Sequence, residues 1–421
     1  MRKAALYICY YTVTEPLVQT QVLPYLVELT GRGLDVTLLS FEPPEISRQE
    51  LDHSAKEIAS HGIRWHHLRY HRRPSLIATL YDVVVGTLTA ACICLRLNIR
   101  IVHARSHVAT AIGLSLKRIL GIRLIFDMRG LLADEYADAG HWSKNSIKYR
   151  LTKRLETAFL NQADQVVVLT RRIQEELAST LPGFRKRLST TMVIPCCIDP
   201  DRFAAQAPGR ESLRAARGWS DRKVIVYAGK LGGWYMTREM IDFFAAARAV
   251  DIRFFFQVLT QGDPQFVESS LLESGVPHQD FDVRYVSSAG MPDVLAACDA
   301  GISFIRPCYS KLASSPTKVG EYLGVGLPVI TTAAIGDCDA IFSDPRLGVV
   351  ISAFDEPGYR RAALMLSEIL EDPSGRHYRR HYAAAELSIQ SVAGPRYAAV
   401  YDQLLGEPLD GPQGLECPDR C

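Results

Sequence analysis

The chain has 421 residues, of which 48% are hydrophobic and 22% are charged. This length exceeds what one hydrophobic core usually fills, and the composition is that of a globular protein, so a disulfide-dense mini-protein, a fibrous repeat and a largely disordered chain are excluded. Lys and Arg outnumber Asp and Glu by only 48 to 46, too small an excess for the whole chain to bind nucleic acid through its net charge.

Cysteine usage and the N-terminus predict a cytoplasmic protein. The ten cysteines are scattered, mostly among apolar neighbours, and the sequence has no pair of CxxC motifs that could build a zinc site. This pattern is typical of reduced, buried thiols. The apolar run Ala4–Tyr11 is short and no small-residue cleavage site follows it, so it predicts a buried strand rather than a signal peptide.

In the first half of the chain, short β-branched runs alternate with helical stretches, which is typical of a parallel sheet covered by helices. The predicted strands are Ala4–Tyr10, Asp35–Ser40, Ile63–Leu68, Ile101–Ala104, Leu124–Asp127, Gln165–Leu169 and Met192–Ile194. Between the first two, Val22, Leu26 and Leu29 fall on one helical face. Residues 1–195 are therefore predicted to form one Rossmann-like, doubly wound domain.

The segment Ser75–Leu95 is apolar and long enough to be considered as a membrane span. It contains Asp82, and a carboxylate at the centre of a span costs about 2.5–3.5 kcal/mol on insertion scales. We therefore predict a buried helix, with a membrane span as the alternative.

A second α/β domain over residues 211–375 is predicted to follow a proline-rich linker at 196–210. Its predicted strands are Val224–Ala228, Phe254–Leu259, Val283–Val286, Ala300–Phe304, Pro328–Thr331 and Val349–Ile351. Two doubly wound domains in tandem bind a ligand in the cleft between them, at the carboxyl ends of the strands. Helices within 376–405 are expected to pack back toward the N-terminal domain, and residues 406–421, which are rich in Pro and Gly, are predicted to be disordered.

The most specific motif is the segment 314–330, which reads SSPTKVGEYLGVGLPVI. Ser315, Thr317 and Lys318 stand where a helix begins, and hydroxyl, ammonium and backbone N–H groups at such a place are suited to hold a diphosphate. Glu321, one turn further on, is suited to accept hydrogen bonds from ribose hydroxyls. An ordinary helix start with a solvated Lys and Glu is the alternative.

This segment resembles the donor-binding segment of the family 4 glycosyltransferases, whose motif ends in Glu-Tyr-x-Ala-x-Gly-x-Pro-Val-Ile. The stretches Glu15–Leu26, Phe126–Glu135 and Val193–Phe203 are similar to the same family. The resemblance covers about residues 4–405. It implies the GT-B architecture, in which two Rossmann-like domains face a cleft, with the acceptor on the N-terminal domain and the nucleotide sugar on the C-terminal one.

The resemblance further implies a retaining enzyme that moves a sugar from a nucleotide-sugar donor to an acceptor hydroxyl, in cell-surface polysaccharide or glycolipid biosynthesis. Lys230 matches the position of a basic residue that would neutralise the leaving diphosphate, and Gly232 and Gly233 beside it permit close backbone approach. A solvated loop lysine is the alternative. The family's second basic residue falls at Tyr235 and its first glutamate at Ala313, so we expect the missing charge to come from Lys318 and Arg306.

On the N-terminal side, Asp127 ends a predicted strand where the family often places a catalytic His or Asp. By resemblance, Asp127 would orient or deprotonate the acceptor hydroxyl, and Arg129 would keep it ionised or lock it in a structural ion pair. The candidate contacts to the acceptor or the sugar are Gln21, His103 and His141.

Two Asp-x-Asp triplets, Asp199–Asp201 and Asp337–Asp339, have the spacing that holds Mg²⁺ against a diphosphate in other transferases. Both stand in turns, where Asp is favoured locally. We therefore expect no metal site, and no cofactor either, because the nucleotide sugar is a substrate.

Two basic segments indicate a partner for the N-terminal domain. Residues 61–73 and 144–154 are rich in Arg, Lys and His and contain no acid. Near an anionic leaflet each such charge is worth about 1 kcal/mol, so peripheral contact with the inner face of the cytoplasmic membrane, where a lipid-linked acceptor would be met, is a hypothesis. A solvated surface is its alternative.

Two other functions compete with sugar transfer. One is a sugar-nucleotide 2-epimerase-like enzyme of similar two-domain shape. The other is a non-catalytic sugar-nucleotide-binding subunit of a transferase complex, which the departures at Tyr235 and Ala313 favour.

Overall fold

The computed structural model describes residues 3–73, 75–204 and 209–411. These residues form two compact units. The first unit comprises the described residues up to 195 and from 389 onward, and the second comprises those from 196 to 388.

The first unit is built on a seven-stranded parallel sheet, in the order β3-β2-β1-β4-β5-β6-β7. Its strands are β1 Ala4–Cys9, β2 Asp35–Glu42, β3 Arg64–Arg69, β4 Ile101–Arg105, β5 Arg123–Asp127, β6 Gln165–Val168 and β7 Thr191–Val193. Its helices are α1 Pro16–Gln21, α2 Leu23–Gly31, α3 Arg48–Ser60, α4 Ser75–Leu97, α5 Ser106–Leu120, α6 Leu132–Asp138, α7 Ile147–Gln162, α8 Arg171–Thr180 and, near the end of the chain, α18 Gly394–Leu405. Every residue of β1 is buried, as expected for a central strand covered on both faces.

The second unit is built on a six-stranded parallel sheet, in the order β10-β9-β8-β11-β12-β13. Its strands are β8 Lys223–Ala228, β9 Phe254–Leu259, β10 Phe281–Arg284, β11 Ala300–Ser303, β12 Val329–Thr332 and β13 Gly348–Ile351. Its helices are α9 Asp201–Ala204, α10 Arg210–Ala215, α11 Thr237–Val250, α12 Pro264–Glu273, α13 Met291–Ala297, α14 Thr317–Gly324, α15 Cys338–Ile341, α16 Glu356–Glu371 and α17 Gly375–Glu386. The predicted fold class, two parallel α/β units with interleaved helices, is confirmed.

Helix α4 differs from the buried helix that the sequence predicts. Only one side of it is buried, along Ala78, Asp82, Ala90 and Cys94, and a third of its most apolar window is covered by the rest of the protein. By length and composition it is the helix among the described residues that passes the test for a membrane span. The error arises because apolar composition alone does not determine how much of a helix its neighbours cover.

The predicted boundaries of the second domain also need correction. Residues 196–204 belong to the second unit rather than to a free linker, because Ile198 and Phe203 are buried in its core and the N–H of Ile198 donates to the carbonyl of Leu387 at 2.7 Å. The remainder of the predicted linker is described only from Gly209.

The C-terminal helices do not both return to the first unit. Helix α17 stays with the second unit, where the Arg376 guanidinium donates to the carbonyls of Val325 and Cys298, whereas α18 packs in the first. Residues 406–411 of the predicted disordered tail are held by buried Leu409 and by an ion pair between Lys3 and Asp410. The rest of that tail, 412–421, lies outside the described residues.

A tyrosine on α14 ties this helix to the end of β8. The Tyr322 hydroxyl accepts a hydrogen bond from the Ala228 N–H at 2.8 Å, and its ring is fully buried against Gly301 of β11. A Cβ at Gly301 would stand 2.2 Å from Cδ2 of that ring, which is closer than real Cβ atoms approach. The absence of a side chain at this position therefore allows Tyr322 to hold the strand and the helix together.

We expect Gly301→Ala to destabilise the protein by about 3 kcal/mol, because a methyl group forced into a packed core displaces its neighbours. Gly31→Ala is the matched control, since a Cβ there meets nothing within 4 Å, and it should be neutral or slightly stabilising. Thermal unfolding of both variants checks the prediction. Equal midpoints for the two would contradict it.

Candidate functional site

The first part of the candidate site is a glycine-rich loop that follows β8. Gly229, Gly232 and Gly233 have φ values of 145°, 71° and 64°, which residues with a side chain rarely adopt. Lys230 lies exposed on this loop, and its carbonyl accepts a hydrogen bond from the Tyr227 hydroxyl. The glycines therefore leave the backbone of this loop open, and its contact with a ligand stays a prediction.

Lys318, in the first turn of α14, reaches this loop from the other side. Its side chain is buried, and its Nζ lies 4.2 Å from the ring centre of Tyr227 and 4.4 Å from that of Tyr235. Within the described part of the chain, this Nζ has no hydrogen-bond partner. A Cβ at Gly229 would stand 2.8 Å from it, so the glycine leaves the space that the ammonium group occupies.

The charge of Lys318 is therefore poorly compensated. Burial lowers its pKa to about 7, against the attraction of the nearby Glu321 carboxylate. Burial likewise raises the pKa of Glu321 above its ordinary value, against the charges of Arg202 and Lys318. A buried cation with a lowered pKa and no hydrogen-bond partner is typical of an anion-binding site.

The start of α14 faces the same region without a side-chain cap. Its N-cap residue is Pro316, and Thr317, half-buried, is its first residue. The Ser315 Oγ accepts a hydrogen bond from the Cys196 N–H at 3.0 Å, which fixes the hydroxyl in place and does not use its O–H donor. The helix terminus therefore offers backbone N–H groups, which together with Lys318 suit a phosphate.

Two further cationic residues lie near the loop. Arg306 is exposed, and its N–H donates to the carbonyl of Trp234 at 2.8 Å. Lys311 is buried with its Nζ 4.1 Å from the Trp234 ring centre, and the sequence reading missed it because no motif marks its position. Tyr227 and Tyr235 were also missed as partners of Lys318, although Tyr235 was noted where the family has a basic residue.

A cavity of about 350 Å³ lies at the carboxyl ends of β9 and β10. It is lined by Thr260, Gln261, Gly262, Pro264, Arg284 and Tyr285. A Cβ at Gly262 would meet Cδ1 of Leu231 at 3.4 Å, which places the cavity wall beside the glycine-rich loop. The cavity thus lies next to the loop that Lys318 approaches.

In the first unit, a buried polar cluster surrounds Asp127 at the end of β5. Its carboxylate lies 3.5 Å from His103 Nε2, 3.5 Å from the Arg105 guanidinium and 3.4 Å from that of Arg129, and it accepts a hydrogen bond from the Tyr397 hydroxyl at 3.2 Å. The sequence placed His103, Asp127 and Arg129 in one site, and the structure brings them together. It missed Arg105, which ends β4 beside them, and Tyr397 on α18.

Burial and charge act in opposite directions on Asp127. Burial by itself raises the pKa of its carboxyl, but the Arg129 charge, the His103 hydrogen bond and the Arg105 charge outweigh burial and hold the pKa well below its usual range. Burial also lowers the pKa of His103, which favours its neutral imidazole, against the attraction of Asp127. The cluster therefore carries one carboxylate against two guanidinium groups.

Direct contact of these groups with an acceptor needs correction. The side chains of Asp127, His103 and Gln21 are at most 1% exposed, so none of them faces solvent in this structure. His103 Nδ1 lies 2.9 Å from the Tyr401 hydroxyl, and Gln21 accepts a hydrogen bond from the Tyr25 hydroxyl at 2.9 Å. His141 lies exposed on the loop after α6, beside the ring of Tyr136.

The two Asp-x-Asp triplets form local turns. Asp199 accepts from the N–H of Asp201, and Asp339 accepts from the N–H of Ala334. Among residues 3–73, 75–204 and 209–411, no group of three or more His, Cys, Asp or Glu side chains is arranged to hold a metal ion.

Comparison with known proteins gives the same fold. Residues 18–193 match the model of the glycosyl transferase 4-like domain. A glycosyltransferase from Rickettsia africae is 13% identical with a TM-score of 0.70 (96% of this chain and 98% of that one covered). HepE from Anabaena, solved with UDP and glucose, is 14% identical with a TM-score of 0.66 and the same coverage.

WaaG, a glycosyltransferase involved in lipopolysaccharide biosynthesis, is 18% identical with a TM-score of 0.64, over 96% of this chain and all of its own. A putative UDP-N-acetylglucosamine 2-epimerase from Listeria monocytogenes shares the architecture at 12% identity and a TM-score of 0.61, over 97% of this chain and 99% of its own. Among curated protein sequences, none is significantly similar to this chain. The resemblance to GT-B glycosyltransferases that the sequence predicts is confirmed.

Proposed function

We propose that this protein is a retaining glycosyltransferase that uses a nucleotide-sugar donor without a metal cofactor. Its product would be a cell-surface polysaccharide or glycolipid, made on the cytoplasmic side of the membrane. The observation that carries the proposal is Lys318, a buried cation without a hydrogen-bond partner among the described residues, at a helix start beside a glycine-rich loop.

The chemistry of this arrangement fits a departing diphosphate. In retaining sugar transfer, negative charge develops on the leaving phosphate as the glycosidic bond breaks, so an oriented cation and backbone N–H groups stabilise the transition state. Lys318 supplies the cation, and α14 and the loop of Gly229, Gly232 and Gly233 supply the N–H groups. Exposed Lys230 adds a second cation on the same loop.

The cavity beside the loop suits the nucleoside. It lies at the carboxyl ends of parallel strands, where α/β folds bind their ligands, and Arg284, Gln261 and Thr260 provide polar groups to a base or ribose. HepE was solved with UDP in a similar fold, which supports a nucleoside diphosphate as the ligand class.

The Asp127 cluster of the first unit suits the part of the protein that would bind the acceptor. Two guanidinium groups against one carboxylate leave an excess of positive charge at the ends of β4 and β5. The Arg105 side chain is 2% exposed and that of Arg129 is 10% exposed, so Arg129 is the group that would meet an acceptor that carries phosphate, as a lipid-linked glycan does. WaaG, of similar fold, is involved in lipopolysaccharide biosynthesis, which supports a cell-surface product.

Thermal unfolding in the presence of UDP, GDP, ADP and dTDP tests the donor site. A ligand at 100 times its dissociation constant adds about 2.7 kcal/mol of stability, and we expect this for one nucleotide family. Lys318→Met should strongly reduce the shift. Lys223→Met is the matched control, because Lys223 also lies over a ring, that of Phe254 at 5.6 Å, but at the opposite end of β8. Absence of a shift with every nucleotide would overturn the proposal.

Donor affinity should depend on pH through Lys318. The pKa of Lys318 in the folded protein, about 7, lies below the 10.5 of an unfolded lysine, so the unfolded chain binds more protons between these values and the free energy of unfolding rises with pH across the interval. Only the protonated amine attracts a diphosphate. Above pH 7, we therefore expect the dissociation constant of the nucleotide to increase by up to about tenfold per pH unit.

Isothermal titration of the matching nucleotide at several pH values measures this dependence. In Lys318→Met the remaining slope should be that of the free nucleotide. A wild-type slope equal to that of the variant would show that Lys318 does not titrate at the site.

A 2-epimerase is the alternative favoured by one structural neighbour, the Listeria protein. The two activities differ in their need for an acceptor, because an epimerase inverts a sugar carbon of the nucleotide sugar alone. Incubation with the matching nucleotide sugar and no acceptor should leave the sugar's configuration unchanged if the protein is a transferase. A mixture of C2 epimers would establish the alternative.

A further inference from the structure

The outer side of helix α4 is an exposed apolar surface. Leucine, isoleucine, valine and tyrosine side chains that are 52–68% exposed recur along it at helical spacing: Leu76, Ile77, Leu80, Tyr81, Val84, Leu88 and Leu95. We name this surface the α4 face. A contiguous apolar surface of this length on a soluble fold is typical of an interaction site.

The orientation of α4 is fixed by its inner side. Asp82, its one acidic residue, points inward and accepts hydrogen bonds from the Tyr10 hydroxyl at 2.7 Å and from the His71 N–H at 3.1 Å. A Cβ at Gly86 would stand 2.7 Å from Cδ1 of Ile112, so the glycine allows α4 to pack closely on α5. The apolar side chains on the opposite side therefore remain exposed.

Helix α4 connects two strands of one sheet, β3 and β4, and both run in the same direction. A helix tied at both ends to the same sheet cannot cross a bilayer without unfolding that sheet. Its length and composition therefore point to a helix that lies in a membrane interface rather than one that spans it.

Cations flank the α4 face at both ends. Arg69, Arg72 and Arg73 are exposed before the first turn of the helix. Arg96 is exposed in its last turn, and Arg100 is exposed just after it. The Glu45 carboxylate lies 3.9 Å from the Arg72 guanidinium, and both side chains are more than 60% exposed. Both ends of the face are therefore positively charged.

Helix α7, which packs on α5 as α4 does, carries a second exposed apolar surface. α5 packs against both α4 and α7, and α7 exposes Ile147, Leu151 and Leu155 at intervals of one turn. Lys148, Arg150 and Arg154 are exposed among them. The two basic segments of the sequence thus both lie beside apolar side chains on one layer of helices.

We propose that the α4 face, with α7 beside it, binds the surface of an anionic lipid bilayer. A second copy of the chain fits less well, because two α4 faces placed together would oppose arginines to arginines whether the helices run parallel or antiparallel. Anionic headgroups instead complement both ends, while the apolar side chains enter the boundary between headgroups and acyl chains. This proposal deepens the proposed function and rests on it for the statement that a lipid-linked acceptor is met there.

Flotation with two kinds of vesicle tests the proposal, one of phosphatidylcholine alone and one of phosphatidylcholine and phosphatidylglycerol in equal amounts. We expect the wild-type protein to bind the anionic vesicles and to be released by salt. Leu80→Glu/Leu88→Glu should weaken binding at least about tenfold, because each leucine loses its transfer to lipid. Arg72→Ala/Arg73→Ala should weaken it about twenty-five-fold, since each cation contributes about fivefold.

Leu364→Glu is the matched control, because Leu364 is 54% exposed on α16 of the second unit and should not affect flotation. The nucleotide-induced thermal shift is measured on the same variants. Lost flotation with an unchanged shift supports the α4 face as a membrane site and leaves the donor site intact. A wild-type protein that binds the vesicles but shows no thermal shift with any nucleotide would contradict the proposed function and leave the membrane proposal standing.

Three results would overturn the membrane proposal. One is equal binding to neutral and anionic vesicles, and another is full binding by Leu80→Glu/Leu88→Glu. The third is a dimer in sedimentation that this double variant dissociates, because a second copy would then be the occupant.

Discussion

Lys318→Met is expected to lower kcat/KM by about 10²–10³-fold and, at pH 6, to raise the thermal stability of the ligand-free protein. The loss of activity follows from removal of a positioned charge that stabilises the leaving diphosphate. Deletion of a single donor from an oxyanion hole lowers kcat by a similar factor. The gain follows from replacement of a buried ammonium by an apolar side chain of similar length. Each kcal/mol gained corresponds to about 2–4 °C in the unfolding midpoint.

A decrease in activity together with an increase in stability distinguishes a lysine that binds the ligand from one that stabilises the fold. The pKa of Lys318 is lowered, so the folded protein disfavours its charge, and the ammonium is tolerated between Tyr227 and Tyr235 without a hydrogen bond. A lysine that only stabilised the fold would lower stability when removed and leave the kcat/KM of the folded protein unchanged. Lys223→Met should lower stability mildly, since Lys223 forms an ion pair with Asp251 at 3.0 Å.

Steady-state kinetics with the matching nucleotide sugar and thermal unfolding at pH 6 and pH 9 measure both effects. The stability gain should shrink between these pH values, because the wild-type amine becomes neutral as pH rises through about 7. A destabilised variant that keeps its kcat/KM would remove Lys318 from the donor site.

How far the sequence could predict this site depends on which interactions are local. The start of α14 is visible from Pro316, Thr317 and Lys318, because a helix beginning is encoded by consecutive residues. The two rings around Lys318 are not visible, since Tyr227 and Tyr235 lie more than 80 positions earlier in the chain and approach it only when β8 and α14 pack together.

The difference between local and distant interactions also explains which parts of the fold could be predicted. The strands were predicted because parallel strands buried on both faces have continuous β-branched and aromatic runs, as in Phe254–Leu259. The exposure of α4 was not predicted, because an apolar helix has the same sequence pattern whether the rest of the protein covers one of its sides or both. The separation of α17 from α18 depends on side chains such as Arg376 and Tyr397 finding distant partners.

Asp127→Asn is expected to destabilise the protein by about 3–5 kcal/mol, the cost of leaving buried charges without their partner. Asn keeps the size of the side chain but removes the charge opposite Arg105 and Arg129, and the Asp127 side chain has no exposed surface through which water could compensate. Asp242→Asn is the control, because Asp242 is paired with Arg238 at 3.1 Å but 37% exposed, and it should change stability by less than about 1 kcal/mol.

The pH dependence of this loss has a definite sign. Because the pKa of Asp127 is lowered in the folded protein, its contribution to stability is present above the ordinary pKa of 3.8 and disappears as pH falls below it. Wild type and Asp127→Asn should therefore converge in stability under acidic conditions and differ most near neutrality. Thermal unfolding across that range measures the convergence.

Activity separates positioning from a purely structural role. At a temperature where Asp127→Asn stays folded, its nucleotide affinity should be unchanged, because the residues around Lys318 lie in the other unit. We expect its kcat to fall at least about tenfold, since Arg129 and His103 would no longer be held in place for the acceptor. A kcat equal to that of the wild type in the folded variant would make the cluster structural only, and would move the acceptor chemistry to other residues.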